Sequence, residues 1–212
     1  MSKFQGNDQK QDYSITKQQP LQKSSTGKPI YLLLAYLILL AVVFFLPDYS
    51  APGYSIIHNT TSELGAQQTP NAWIMNLTFI LLGLGSLISG WAALGKLWFH
   101  RIALIVFSLS LILVGIFHHM PIDPELTYSV REDDLHSIFA SLTGFSFIAL
   151  AFSTGLVLSK PGARWWAFSI AMMAGLLSAL IFYKPEYMGI WQRILFIISF
   201  GWMVVAYWKR IA

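Results

Sequence analysis

Residues 115–141, GIFHHMPIDPELTYSVREDDLHSIFAS, gather imidazoles and carboxylates more densely than any other part of the chain. These groups bind zinc-like ions and serve as acids and bases in transfer chemistry. Asp133 and His136 stand three residues apart, which puts them on one helical face. His118, His119, Asp133 and His136 therefore form a candidate set for a divalent metal such as zinc. Adjacent histidines point different ways on a helix, so at most one of His118 and His119 can join. There is no HExxH and no paired Glu-x-x-His to strengthen the metal reading. Asp123, Glu125, Arg131 and Glu132 read as solvated connection.

Three further polar residues qualify as partners: Glu63 before the second apolar run, Asn76 a turn into it, and Arg193 a turn into the last. At about 1.5 Å per residue, Asn76, His136 and Arg193 each lie some 5–6 Å below a helix end. Arg193 stays charged, so the sequence calls for an acidic partner, with Glu63, Asp133 and Glu186 as candidates. Snorkelling to headgroups is the alternative for residues at this depth. Their joint arrival at one level favours a shared polar pocket. In an enzyme, His136 would be the general base, Glu63 or Asp133 its catalytic partner, and Arg193 with Asn76 the substrate-binding pair, Arg193 taking a phosphate.

The elements that must position these groups are apolar. Of 212 residues, 55% are hydrophobic and 11% charged, well under the quarter expected of a soluble domain. Six apolar runs cover residues 30–46, 72–94, 102–117, 135–158, 165–183 and 189–208. Each approaches the ~20 residues that a spanning helix needs. The third reaches that length only by drawing in Phe99 and His118. The expected fold is all-α, a six-helix transmembrane bundle over residues 30–212. Residues 1–29, rich in Gln and Lys with little to bury, read as a disordered tail. Tyr31, Trp73, Trp98, Trp165, Trp166, Tyr183, Trp191, Tyr207 and Trp208 stand at run ends as an interfacial belt would. Small residues four apart (Ser86 and Gly90, Ala140 and Gly144, Ala171, Gly175 and Ala179) read as helix-packing faces.

Charge sets the expected orientation. Lys3, Lys10, Lys17, Lys23, Lys28, Lys96, Arg101, Lys160, Arg164, Lys209 and Arg210 fall on one side of the alternating spans, against Arg131, Lys184 and Arg193 on the other. Lysine and arginine concentrate in cytoplasmic loops, so both termini are expected in the cytoplasm and the histidine-rich connection outside. The net charge of +4 is then topology and a basic tail, and nucleic-acid binding loses its support. The absence of cysteine rules out disulfides and thiolate chemistry. Gly83-Leu84-Gly85 lies inside a spanning run, so it is no dinucleotide loop, and there is no Walker loop or nucleophile elbow. Helix centres without ionisable groups speak against a proton-coupled carrier.

Ser62-Glu63-Leu64-Gly65-Ala66 followed by Thr69-Pro70 and Asn76, the Gly115-Ile116-Phe117 run, His136, and Gly189-Ile190-Trp191-Gln192-Arg193 occur in this order. Together they resemble the integral-membrane domain-of-unknown-function family 998, over roughly residues 30–208. The double histidine of His118-His119-Met120-Pro121 departs from that family's pattern, which places a proline soon after the Gly-Ile-Phe run. The resemblance implies six spans in a prokaryotic cytoplasmic membrane and no established reaction. Two functions stay open: an outward pocket that binds or acts on a lipid headgroup or envelope precursor, or a non-enzymatic small transporter, lipid-binding or assembly protein. Membrane lipids are the expected partners under either.

Overall fold

The computed structural model describes residues 28–94 and 97–209, so most of the 1–29 tail lies outside the described residues. Among these, seven α-helices and no strand occur: α1 (Ile30–Phe45), α2 (Thr61–Leu64), α3 (Ala72–Ala93), α4 (Trp98–Ile116), α5 (Val130–Val157), α6 (Pro161–Tyr183) and α7 (Met188–Trp208). All but α2 are long and apolar enough to cross a membrane. The protein is a multi-pass helical membrane protein.

Local chemistry sets the helix limits. Pro47 stops α1, because it has no N–H to continue the ladder. Pro161 opens α6 at a position where a missing N–H costs nothing. Thr60 and Glu63 form a reciprocal capping box that starts α2 inside the first long connection. α5 begins five residues before its apolar run. Ser129 accepts from the Glu132 N–H and caps it, and the charged turn 131–134 is helical. α4 reaches spanning length by adding Trp98 and Phe99 at its start and stops before His118.

The spanning helices form a ring in chain order. Each packs on its successor, and α7 closes back onto α1 and α3. Glycines let α3 sit close on both sides: a side chain at Gly85 would strike the backbone of Tyr31 and Leu32, and one at Gly83 would strike the Ser108 carbonyl of α4. Leu32, Leu39, Phe79, Leu82, Leu104 and Met203 fill the interior. The start of α1 and the end of α7 meet at one end of the bundle, where the Lys28 ammonium lies 5.2 Å from the Trp208 ring. We call this the terminal end and the opposite one the loop end.

Tyr31, Trp98, Trp165 and Trp208 are exposed around the terminal end, and Trp73 and Tyr183 around the loop end, as an interfacial belt requires. Tyr207 departs from that expectation. It is 5% exposed, and its hydroxyl lies where a Gly90 side chain would be, so it packs between α3 and α4 rather than anchoring in headgroups.

Candidate functional site

Arg193 organises the loop end. Its side chain is 3% exposed and donates to four main-chain carbonyls and one phenol: Nε to Val43 O at 3.3 Å, Nη1 to Ile56 O, Asn59 O and Gly189 O at 3.0 Å each, and Nη2 to the Tyr54 hydroxyl at 2.7 Å. The carboxylate partner the sequence called for is absent: no ion pair to Arg193 exists among the described residues. The reason lies in the backbone. Pro47 cannot donate to the Val43 carbonyl, and the irregular 55–59 turn leaves more carbonyls to satisfy. One planar fork of donors serves them all. With its donors engaged, Arg193 is a staple between α1, α7 and the first connection, and the phosphate-binding role expected of it does not fit.

Tyr54 completes the staple by donating to Thr60 O at 2.7 Å. Burial pushes its hydroxyl up to about 12; Arg193 pulls the other way and Glu63 adds to the rise. The phenol thus stays neutral and keeps its donated proton.

Glu63 is likewise committed, and so is the amide nitrogen of Asn76, while its buried Oδ1 has no partner among the described residues. Glu63 Oε2 accepts from the Thr60 N–H at 2.5 Å and the Thr60 hydroxyl at 2.8 Å, and Oε1 accepts from Asn59 Nδ2 at 2.8 Å. Asn76 Nδ2 donates to Gly65 O at 2.9 Å, tying α3 to the end of α2. The four residues expected to share one pocket therefore separate: Glu63, Asn76 and Arg193 hold the loop end together outside the lining, and of the four only His136 borders the neighbouring space.

That space is a cavity of about 430 Å³ bounded by α5, α6 and α7, with Phe79 of α3 and Phe107 and Leu111 of α4 behind. Its size falls within the ~300–1,000 Å³ typical of ligand pockets. At the loop end it is lined by Thr60, Ser62, His119, His136, Ser137 and Gln192. Deeper, Phe147, Ile148, Leu195, Phe196 and Phe200 dominate, with the Ser199 hydroxyl, which has no protein partner among the described residues, set between them. From His136 to Ile148 the α5 wall spans roughly 18 Å at 1.5 Å per residue. Ala140 and Gly144, expected to pack helices, face this cavity instead, and a side chain at Gly144 would meet nothing within 4 Å. The lining also reaches Phe145 and Phe182, which are 72% and 81% exposed on the flank of α5 and α6.

Two histidines form the polar end. His136, 3% exposed, directs Nδ1 to the carbonyls of Phe117 at 2.8 Å and Val114 at 3.2 Å. Carbonyls only accept, so Nδ1 carries the proton and Nε2 keeps its lone pair. His119 stacks on it with ring centres 5.2 Å apart and an interplanar angle of 17°. His119 Nδ1 meets Asp133 Oδ1 at 2.5 Å, and the same oxygen accepts from the Met120 N–H at 2.9 Å. Asp133 therefore orients His119 and not His136, the arrangement that frees an imidazole Nε2 to act as a base or acceptor.

The candidate metal set does not converge. His118 turns to Glu132 at 3.4 Å, and no three His, Cys, Asp or Glu side chains form a group able to hold a metal ion among the described residues. His119 is the one member of the adjacent pair that joins His136.

Gln67 and Gln192 escaped the reading of the sequence. Gln67 donates from its side chain to the carbonyls of His118 and Ser129 and accepts from the Ser129 N–H, so it holds the second connection over the first. Gln192 Oε1 accepts from both the Thr61 N–H and hydroxyl at 2.6 Å, which fixes its amide at the cavity mouth. Gln192 lies in the Gly189–Arg193 motif, so a signal for it existed. Gln67 carried none beyond its nearness to Glu63.

The chain belongs to the family described as a protein of unknown function, DUF998, whose model matches residues 33–209. This is the family its motifs resemble, and the match spans all six long helices and the connections that build the cavity. No curated protein and no solved structure matches the chain.

Proposed function

We propose that this DUF998 member binds a single-chain, lipid-like amphiphile at the outer leaflet of a prokaryotic cytoplasmic membrane, head towards the histidine pair and chain in the aromatic slot. The observation that carries this reading is the cavity's polarity gradient, from His119, His136 and Gln192 at the loop end to Phe147, Phe196 and Phe200 inside. A water-soluble ligand gains little from the phenyl-rich deep end, and a purely apolar one wastes the mouth. Exposed Phe145 and Phe182 bracket the flank by which a chain enters from the bilayer.

Native mass spectrometry of the detergent-extracted protein should show one co-purified amphiphile per chain. Gly144→Leu should abolish that adduct with little change in unfolding midpoint, since leucine suits a helix better than glycine and projects into open space. An adduct of unchanged occupancy in Gly144→Leu would remove the cavity as the binding place.

The outward orientation of the loop end rests on the distribution of lysine and arginine. The chain has no cysteine, so single substitutions report cleanly. In intact cells a membrane-impermeant maleimide should label Glu125→Cys and spare Lys209→Cys; the reverse pattern would place the cavity on the cytoplasmic side.

A further inference from the structure

We infer that the cavity selects an amphiphile with a neutral, hydroxyl-bearing head, and discriminates against phosphate, carboxylate and ammonium heads on the same chain. This rests on the amphiphile-binding reading and names its ligand class.

Among the described residues, no Asp, Glu, Lys or Arg lines the cavity. The charged groups closest to its polar end are consumed by the protein itself: the Arg193 donors by carbonyls and Tyr54, Glu63 by Thr60 and Asn59, and Asp133 by His119 and the Met120 N–H. An anionic head would enter the site with no Arg or Lys to pair with. At the loop end the second connection and the first turns of α5 carry Asp123, Glu125, Glu132 and Asp134 against Arg131, and the α6–α7 connection adds Lys184 and Glu186. A cationic head gains from that rim at long range, yet at the cavity lining it finds no carboxylate to compensate its lost hydration.

What the lining does offer is specific. His136 and His119 each commit Nδ1 to a pure acceptor, so in the neutral form both present Nε2 as an acceptor. Gln192 gives its oxygen to Thr61, which leaves the amide nitrogen as a donor with no protein partner among the described residues. Ser62 and Ser137 add hydroxyls that donate or accept. Two fixed acceptors beside one fixed donor match a head with several hydroxyls, each able to give one hydrogen bond and take another. Glycerol and sugar heads have this pattern; a phosphate or carboxylate brings acceptors that can use the Gln192 amide but leave both imidazole Nε2 lone pairs facing further lone pairs.

The test uses delipidated wild-type protein and palmitoyl or hexadecyl probes that share one chain and differ in head: monopalmitoyl glycerol, hexadecyl glucoside, palmitoyl lysophosphatidate, palmitate and hexadecylamine. Equilibrium binding should favour the glycerol or glucoside head by about tenfold or more over every charged head, and the ranking of those two identifies which hydroxyl pattern fits. His119→Phe and His136→Phe keep a stacked ring and lose the Nε2 acceptor, so the preference should collapse in either while the protein still folds. Should a variant misfold, the wild-type ranking alone decides. Equal or tighter binding of the phosphate, carboxylate or amine probe overturns the neutral-head inference and leaves amphiphile binding standing. Binding of none of them overturns amphiphile binding itself.

Discussion

Arg193→Ala should cost at least about 3 kcal/mol of stability and collapse the loop end. A hydrogen bond to a charged group contributes about 1.5–3 kcal/mol, and a buried carbonyl left without a donor costs ~1–3. Val43 O has lost its helical donor to Pro47, and Ile56 O lies in an irregular turn, so neither finds a ready substitute. Thermal unfolding followed by size-exclusion chromatography in detergent measures the loss. Arg193→Lys should rescue little, because an ammonium is a compact charge that cannot span carbonyls on α1, α7 and the 55–59 turn together. A contrary result is easy to recognise. An Arg193→Ala protein with a wild-type midpoint but altered ligand binding would return Arg193 to the ligand and dismantle the staple.

The contrast between Arg193 and His136 shows what could be read from residues alone. Both are buried, as an ionisable residue inside a spanning run must be when it faces protein, but His136 lies nearly two turns into α5 and not one, because that helix starts at Val130. Which partner each found was illegible. Arg193 is satisfied by main-chain oxygens of residues 43, 56, 59 and 189, and a carbonyl carries no signature in the sequence of its own residue. The expectation of a carboxylate followed from the rule that buried charges pair, and hydrogen bonds from a coil met the same need.

The spans show a similar division. Hydropathy found all six, since crossing a bilayer requires unbroken apolar length. It missed the charged first turns of α5, because Ser129 and local backbone geometry, not apolarity, decide where that helix begins. The stripe Ser137, Ala140, Ser141 and Gly144 reads identically whether it packs a neighbour or lines a void. The difference lies in tertiary placement: α7 closes the ring against α1 and α3, and the face of α5 is left bordering space. His118 and His119 were likewise distinguishable only once the second connection was folded, with Gln67 holding its backbone from the first.

Gly189→Ala should be the second severe substitution, for a related reason. A Cβ there would overlap the carbonyl oxygens of Ile56 and Asn59, and these are backbone atoms that cannot swing aside as a side-chain tip would. The 55–59 turn would have to retreat from α7. That movement breaks the Gly189 N–H bond to Ile57 O at 3.1 Å and draws two acceptors away from Arg193 Nη1. Overpacking costs ~1–3 kcal/mol before any hydrogen bond is lost, so a loss of roughly 2–4 kcal/mol is expected with the bonds included. Gly144→Ala, where the new methyl meets open space, should be neutral or slightly stabilising and serves as the control. The double variant carries the sharper prediction. Gly189 and Arg193 act on the same two oxygens, so their effects should fall well short of additive, by more than the ~0.5 kcal/mol scatter of independent sites. Additive losses would mean that the turn is held against α7 by two separate devices, and that Arg193 does not depend on the close approach that only glycine permits.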